Sequence, residues 1–285
     1  MAGVVGDSRW DSDAFVANWV EKAGERNRIF ASATERMLAE ARVGAGSRVL
    51  DLGTGTGDTA LLAASRVGPQ GHVLAIDPAP TMVDVARKAV DQAGLTNVTV
   101  RVMHAESLDV ADGSFDSVMG RNMLMFVALK RALREIRRVL RPLGRLATVV
   151  WSETARCPYY ACVLDVARER GALVEPLPEM ARAFALGDRD AYLRELAEAG
   201  FASIEAHRVA SARRYASAAG AVKAMRESPI QAEPIERLAA GEREAAWAEI
   251  ERRLRPYEKD GECVLPMESL VLVGERPGWV VVSRW

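Results

Sequence analysis

A chain of 285 residues with 49% apolar side chains can bury a sizeable core, as one large domain or as one domain with a cap. Its 38 lysine and arginine residues nearly balance 39 acidic ones, and the net charge of −1 gives no reason to expect nucleic acid or a membrane surface as a partner. No apolar run approaches the roughly 20 residues of a membrane span, and the first residues lack the basic and apolar regions of a signal peptide. Three cysteines, Cys157, Cys162 and Cys263, lack metal-ligand spacing and predict free thiols in a reducing compartment. We therefore expect a cytoplasmic protein without a metal site.

Amphipathic helices are predicted ahead of the first strand. Residues 1 to about 10 are expected to be disordered. From Asp11 to Leu38 apolar residues recur with helical spacing, which predicts one or two helices. Trp19 and Phe30 belong to these helices, and they either line a substrate pocket or pack the helices onto the domain.

The most informative stretch runs from Val49 to Gly68 and has the pattern of a strand, a glycine turn and a helix. Gly53, Gly55 and Gly57 occupy alternate positions soon after Asp51, at the end of the strand. A chain that turns sharply, and lets a ligand touch its backbone, has no room for Cβ atoms. The helix that follows presents free N–H groups to a polar ligand. This stretch therefore predicts a nucleotide-like cofactor lying across the turn.

The second strand supports this prediction. His72 to Asp77 is an apolar run that ends in an acid, and such an acid can accept hydrogen bonds from both ribose hydroxyls of a cofactor. The glycines run G-x-G-x-G rather than the G-x-G-x-x-G of dinucleotide-binding proteins. Together these blocks resemble motif I and its surroundings in class I methyltransferases that depend on S-adenosylmethionine. The resemblance covers Arg48 to Trp151 well and the remainder only loosely.

Further strands and helices follow in alternation. The pattern predicts strands at Arg48–Leu52, His72–Asp77, Val98–Met103, Phe115–Gly120, Leu146–Trp151, Phe201–Val209 and Ser269–Gly274. Helices are predicted at Thr81–Ala93, from Leu129 to a turn at Pro142 and Gly144, through Val163–Arg170, at Asp190–Gly200, and within Ser217–Arg255, where Pro229 and Pro234 break them.

The block that begins at His104 resembles motif II of the same enzymes. Their usual aspartate bonds the adenine amine, whereas this chain has His104, whose neutral imidazole can donate or accept a hydrogen bond. The resemblance implies that Ala105 offers its backbone N–H and that Glu106 is a polar neighbour of the adenine. The resemblance also implies that the end of the fourth strand, at Arg121, faces the methyl-bearing sulfonium.

Acceptor-side residues are harder to assign because methyl transfer from a sulfonium needs orientation and exclusion of water more than acid–base catalysis. Asn122 either orients the acceptor or caps a helix. Tyr159 and Tyr160 follow the fifth strand, where related proteins bind their acceptors. Met125 follows the fourth strand and is a further candidate contact.

These patterns predict a Rossmann-like α/β fold with a seven-stranded, mostly parallel sheet, N-terminal helices and inserted helical caps. The expected segments are N-terminal lid helices at 1–42, a cofactor-binding core at 43–151, a cap insertion at 152–188, core at 189–210, a second cap insertion at 211–262, and the last strand with an apolar tail at 263–285.

The sequence therefore predicts methyl transfer from S-adenosylmethionine, which yields S-adenosylhomocysteine, to a small organic acceptor, an aromatic or specialised-metabolite carbon, oxygen or nitrogen. Two alternatives remain: a protein that uses this fold for binding or cyclisation without methyl transfer, and a nicotinamide oxidoreductase. A homodimer is compatible with the sequence. The expected cofactor contacts are Asp51, Gly53, Thr54, Gly55, Gly57, Asp77, Pro78, Met82, His104, Ala105, Glu106 and Arg121. The expected catalytic residues are Asn122 and Tyr160, and the expected substrate contacts are Trp19, Phe30, Met125 and Tyr159.

Overall fold

The computed structural model describes residues 12–278, so the predictions for residues 1 to 10 and for the apolar tail after Gly278 lie outside the described part. Helices and strands alternate through the first half of this range, and helices dominate much of the second. The helices are α1 (Asp13–Glu21), α2 (Ala23–Glu40), α3 (Asp58–Val67), α4 (Pro80–Gln92), α5 (Leu129–Val139), α6 (Pro158–Glu169), α7 (Glu179–Arg182), α8 (Arg189–Glu198), α9 (Ala218–Arg226), α10 (Pro229–Glu236) and α11 (Ala240–Leu254). The strands are β1 (Arg48–Leu52), β2 (His72–Asp77), β3 (Val98–Val102), β4 (Phe115–Arg121), β5 (Leu140–Trp151), β6 (Ala202–Tyr215), β7 (Glu258–Lys259) and β8 (Glu262–Glu275).

One sheet contains all eight described strands, in the order β3-β2-β1-β4-β5-β8-β6, with the two-residue β7 paired to β8. The pairs β3–β2, β2–β1, β1–β4 and β4–β5 are parallel, so the carboxyl ends of these five strands meet at one edge. The predicted mostly parallel Rossmann-like sheet is confirmed. The short β7 is an addition that the sequence pattern did not predict.

The central strands of this sheet are apolar and almost completely buried. Four of the five residues of β1 are buried, as are five of the six of β2, which is the continuous apolar pattern of strands enclosed in a parallel sheet. On α5 the residues Ala132, Leu133, Ile136 and Val139 are buried, a helical spacing that places its arginines on the other face. Strand bounds are therefore sharp here, and those of β1 and β2 coincide with the predicted ones.

The predicted turn at Pro142 and Gly144 is an irregularity inside β5 rather than a break before it. Leu143 adopts a left-handed conformation with φ 64°, and the register between β4 and β5 shifts between Phe115 and Ser117. The backbone of this stretch stays paired, since Leu143 donates to the Arg276 carbonyl at 2.8 Å and Arg276 donates to the Gly144 carbonyl at 2.9 Å. Paired groups allow the strand to begin at Leu140 in spite of the proline.

Three further predictions, for elements in the second half of the chain, differ from the structure. The sixth strand extends to Tyr215 rather than Val209, and the last strand begins at Glu262 rather than Ser269. Pro234 lies inside α10 instead of breaking it. A proline there forgoes the hydrogen bond that its nitrogen would donate to the carbonyl four residues earlier, a loss that this short helix tolerates.

The chain divides into two compact units. The first comprises residues 1–150, 189–207 and 270–285, and the second comprises residues 151–188 and 208–269. The first unit contains the glycine turn, and the second contains Tyr159 and Tyr160. The assignment of the second unit as a cap remains a prediction. Within residues 12–278, no helix combines the length and apolar character required to cross a membrane.

Candidate cofactor site

The glycine turn lies at the carboxyl end of β1 and leads directly into α3. Gly53 and Gly55 have φ values of +60° and +55°, the left-handed region that only glycine enters without strain. A Cβ atom on Gly53 would lie 2.6 Å from the Cβ of Met123, which is closer than real atoms approach. The turn therefore needs glycine both for its backbone angles and for its contact with the segment after β4.

Asp77 lies beside this turn, at the carboxyl end of the neighbouring β2. Its Oδ2 accepts a hydrogen bond from the Gly55 backbone N–H at 2.9 Å, and its Oδ1 accepts one from the Ala79 N–H at 3.0 Å. The side chain is largely buried, with 8% of its surface exposed. These two bonds fix the carboxylate against the turn. Of the adjoining predicted contacts, Pro78 is exposed and Met82 is buried in α4.

Asp51 lies beneath the turn and is completely buried. Its Oδ2 accepts hydrogen bonds from the hydroxyls of Thr54 at 2.7 Å and Thr59 at 2.8 Å. Its Oδ1 has no hydrogen-bond donor among residues 12–278. Burial raises the pKa of this carboxyl to about 6, against the lowering effect of the two hydroxyl donors and of Arg121. A donor or a positive charge beside Oδ1 would therefore be stabilising.

A second buried acceptor without a donor belongs to Asn122, which directly follows β4. The backbone N–H of Asn122 donates to the Val149 carbonyl at 2.8 Å, which anchors the residue to β5. Its φ of +56° is a left-handed conformation that asparagine tolerates better than most residues. The side-chain Oδ1 is buried, and no donor in the described part of the chain reaches it. Met125 lies three residues further on and is buried.

Arg121 connects the end of β4 to α2 rather than standing open. Its guanidinium donates to the Thr34 hydroxyl at 3.1 Å and to the Asn27 side-chain oxygen at 2.9 Å. It also lies 3.7 Å from the Asp58 carboxylate and 5.7 Å from the centre of the Phe30 ring. Burial lowers its pKa, while Asp58 and Asp51 oppose this effect. Phe30 is only 3% exposed, and its described contacts are those of a packing residue.

Arg26 contacts the same turn, and no sequence pattern singled it out. It donates to the Thr56 hydroxyl at 3.1 Å, to Asp58 at 3.5 Å and to the Trp19 carbonyl at 2.9 Å. Its guanidinium lies 4.1 Å from the centre of the Trp19 ring, a cation–π geometry. Burial lowers the pKa of Arg26 to about 10, so it stays charged at neutral pH. A single arginine in an arginine-rich chain carries no motif, which is why only the structure identifies it.

Trp19 lies against the glycine turn. A Cβ atom on Gly55 would be 3.6 Å from the indole Nε1, and the ring stacks on Phe15 with 5.7 Å between centres. Trp19 is half-buried. Helix α1 therefore places an aromatic ring beside the backbone that the cofactor is expected to cross.

The predicted adenine contacts follow β3. His104 is exposed, and its carbonyl accepts a hydrogen bond from the Ser107 N–H at 3.1 Å. Ala105 is buried. Glu106 is half-buried, and its Oε1 accepts from the Ala128 N–H at 3.0 Å, which fixes the loop that precedes α5. This bond gives Glu106 a role in loop structure, whatever further contact it makes.

Tyr159 and Tyr160 lie in an aromatic cluster of the second unit. The Tyr159 hydroxyl donates to Gln231 Oε1 at 2.7 Å, and Arg213 donates to the Tyr160 hydroxyl at 3.3 Å. The guanidinium of Arg213 lies 4.6 Å from the centre of the Tyr159 ring. Burial raises the pKa of both tyrosines, so neither is a ready general base at neutral pH.

One group of potential metal ligands occurs within residues 12–278: Glu40, Glu205 and His207, whose ligand atoms lie within 4.8 Å of one another. Arginines already neutralise the two carboxylates. Arg36 lies 2.8 Å from Glu40, and Arg145 lies 3.5 Å from Glu205. We therefore interpret these residues as a cluster of ion pairs.

The sequence around the glycine turn is similar to that of known proteins. Residues 49–144 match a family of methyltransferase domains. The chain is 38% identical over 113 residues to a demethylmenaquinone methyltransferase of Listeria welshimeri. This match covers 39% of this chain and 48% of the relative. The chain is also 39% identical over 121 residues to an arsenite methyltransferase of Halobacterium salinarum. That match covers 42% of this chain and 31% of that protein. The chain thus spans about half the length, or less, of the curated relatives it matches.

The fold is also found among solved structures. The YcgJ protein from Bacillus subtilis superposes with a TM-score of 0.60 at 19% identity, covering 87% of this chain and 99% of that one. The glycine turn and the strand-end acids lie inside the matched residues 49–144. This stretch therefore matches known methyltransferase domains, in agreement with the resemblance to motif I that its glycines and Asp77 suggest.

Proposed function

We propose that this protein transfers a methyl group from S-adenosylmethionine to a small organic acceptor. The observation that carries the proposal is the pair of buried acceptor oxygens, Asp51 Oδ1 and Asn122 Oδ1, which find no donor in the described part of the chain. A buried acceptor without a donor costs roughly 1–3 kcal/mol. The cofactor carries an ammonium group and a positive sulfonium, so its charge and its donors match what these strand ends lack.

The residues around the turn fit the remainder of the cofactor. Asp77 would accept hydrogen bonds from its ribose, and the backbone of Gly53 to Gly57 would approach it closely, as the positive φ values allow. The proposed contacts also include Thr54, Pro78, Met82, His104, Ala105, Glu106 and Arg121. Arg121 and Glu106 also hold other parts of the protein in place, because each forms a hydrogen bond with a protein group.

When bound, S-adenosylmethionine supplies an electrophilic methyl group on sulfur. The chain itself must then hold an acceptor in line with that methyl and exclude water. Asn122 is the proposed orienting residue, and Trp19, Phe30, Met125 and Tyr159 are the proposed acceptor contacts. Tyr160 is the other proposed catalytic residue, and the rise in its pKa caused by burial favours a hydrogen-bonding role over proton abstraction.

An organic acceptor is favoured over arsenite. Soft thiolate sulfur is the protein ligand expected for such an acceptor. Cys157 and Cys263 are buried, and burial raises the pKa of Cys157 and of Cys162 to about 11. These groups stay protonated thiols at neutral pH. The demethylmenaquinone methyltransferase relative instead supports a quinone-like organic acceptor.

The first experiment is calorimetric titration of the purified protein with S-adenosylhomocysteine and, separately, with NADH. We expect binding of the first and none of the second. Binding of NADH alone would overturn the proposal in favour of a nicotinamide oxidoreductase. Incubation with S-adenosylmethionine and a panel of quinones and phenols then tests transfer, because release of S-adenosylhomocysteine distinguishes a methyltransferase from a protein that only binds the cofactor.

A matched pair of variants tests the assignment of Asp77. Asp77→Ala should weaken the binding of S-adenosylhomocysteine by about 1.5–3 kcal/mol, which is about tenfold or more, because charge-assisted hydrogen bonds to the ribose are lost. Asp84→Ala removes an acid from the exposed face of α4, and it should leave binding unchanged. Unchanged affinity in a folded Asp77→Ala protein would contradict the ribose role.

A further inference from the structure

A cleft of about 440 Å³ lies on the first unit, away from the glycine turn. Its lining comes from the residues just before β4, the last turns of α5, the start of β5, the end of α8 and the residues after β8. The charged residues that line it are Asp112, Arg134, Arg137, Arg138 and Arg276. Since β4 and β5 run parallel to β1, the cleft is at the amino ends of these strands, whereas the glycine turn follows a carboxyl end.

The charge of this lining is strongly one-sided. Four of its nine residues are arginines and one is an aspartate. Arg138 is neutralised, because it lies 2.7 Å from both Glu135 and Asp112. No carboxylate of residues 12–278 lies within ion-pair distance of Arg134, Arg137 or Arg276. Three arginines that form no salt bridge with a described carboxylate therefore converge on one concave surface.

Arg137 is the most unusual of the three. It is half-buried, and its Nε is completely buried and has no hydrogen-bond acceptor among the described residues. A Cβ atom on Gly200 would lie 3.1 Å from the guanidinium carbon, so the guanidinium packs close against the glycine backbone. The other arginines of comparable burial, such as Arg26 and Arg121, each have carboxylate and side-chain oxygen partners. Burying a charged group without a partner is costly, and a ligand that supplies the partner recovers that cost.

Arg276 is held in place by the backbone. Its Nη1 donates to the Arg138 carbonyl at 2.9 Å and also to the Leu140 carbonyl. These are carbonyls at the end of α5, so they fix the guanidinium without neutralising its charge by a carboxylate. A positioned guanidinium loses less conformational freedom when it binds an anion.

We propose that this cleft binds a small anion that carries phosphate groups. Guanidinium groups match phosphate oxygens with two parallel hydrogen bonds. A lone carboxylate would balance one of the three charges, whereas a diphosphate group carries two or three. The volume suits a ligand of nucleotide size, since small-molecule pockets span roughly 300–1,000 Å³. Nothing in the proposed methyl transfer uses these residues, so a result that contradicts one proposal leaves the other unaffected.

The test is calorimetric titration of the full chain with inorganic pyrophosphate, in a buffer free of phosphate, at two salt concentrations. We expect saturable binding that weakens as salt rises. Arg137→Gln should lower the affinity about tenfold or more, the effect of losing a charge-assisted contact. Arg134→Gln, at an exposed position, should weaken binding in the same direction and provides a second variant if Arg137→Gln does not fold.

Arg131→Gln is the matched control, because Arg131 is exposed on the same helix and does not line the cleft. It should bind pyrophosphate as the unaltered protein does. Arg137→Gln should keep its affinity for S-adenosylhomocysteine, which separates this cleft from the cofactor site. The proposal is overturned if pyrophosphate does not bind at millimolar concentration, if Arg131→Gln loses as much affinity as Arg137→Gln, or if duplex RNA binds in preference at equal phosphate concentration.

Discussion

The substitution Asp51→Asn separates the stability of the glycine turn from its function. Burial raises the pKa of Asp51 from its ordinary 3.8 to about 6. At 1.36 kcal/mol for each pH unit, this difference corresponds to about 3 kcal/mol. Because the raised pKa means that the folded protein binds the proton more tightly than the unfolded chain, the charged carboxylate lowers stability at neutral pH. That penalty is absent below about pH 4 and is complete above about pH 6.

The asparagine variant should therefore lose this pH dependence. Its free energy of unfolding between pH 4 and 7 should be flatter than that of the unaltered protein, and at pH 7 the variant should be at least as stable. The amide can still accept the hydrogen bonds of Thr54 and Thr59, which keeps the turn intact. Urea titrations at several pH values measure both quantities.

Binding should change in the opposite direction. The variant lacks the negative charge proposed to face the ammonium group of the cofactor, so its affinity for S-adenosylhomocysteine at pH 7 should fall about tenfold or more. In the unaltered protein, affinity should decline as pH falls through about 6, since Asp51 becomes neutral there. An Asp51→Asn protein that is clearly less stable at pH 7 would refute the burial argument, and one that binds normally would refute the cofactor contact.

Three further substitutions test the surroundings of the turn. Gly53→Ala should lower the free energy of unfolding by about 1–2 kcal/mol from its φ of +60° alone. The clash with Met123 should lower it further and should abolish cofactor binding. Gly44→Ala is the control in the same denaturation and binding assays, because nothing lies within 4 Å of a Cβ atom there. Arg26→Gln should lower the free energy of unfolding by about 1–3 kcal/mol, because three hydrogen bonds are lost; equal stability would show that the guanidinium contributes nothing net. His104→Asp should leave cofactor affinity nearly unchanged, because the resemblance to motif II implies an aspartate at this position, and a severe loss measured by titration would reveal a contact that only the imidazole makes.

The sequence predicted the elements around the glycine turn because local signals agree there. Apolar runs define β1 and β2, and the glycines and Asp77 mark their ends, so the bounds were right. Farther along the chain those signals weaken. The second half of β6, after Val209, contains few large apolar residues, and its extended structure depends on pairing that no local pattern reveals.

Side-chain partners were the least predictable feature. Arg26 and Arg121 carry the same side chain as many exposed residues, and only the fold brings both to Asp58. The hydrogen bond that Glu106 accepts from the Ala128 backbone N–H was not predicted, and the contact of Glu106 with the adenine stays a prediction. Such contacts join residues far apart in the chain, so residue type and spacing do not identify them.

The sharing of Asp58 also constrains how this protein can vary. Two guanidinium groups, Arg26 from α2 and Arg121 from β4, lie within 3.5 and 3.7 Å of a single carboxylate oxygen. Groups in such direct contact show coupling energies of about 0.5–3 kcal/mol rather than additive effects. Loss of Asp58 would leave two buried positive charges facing each other, while loss of one arginine first would make that change milder. Substitutions at these three positions should therefore be tolerated in a particular order, and related chains should carry them as a set.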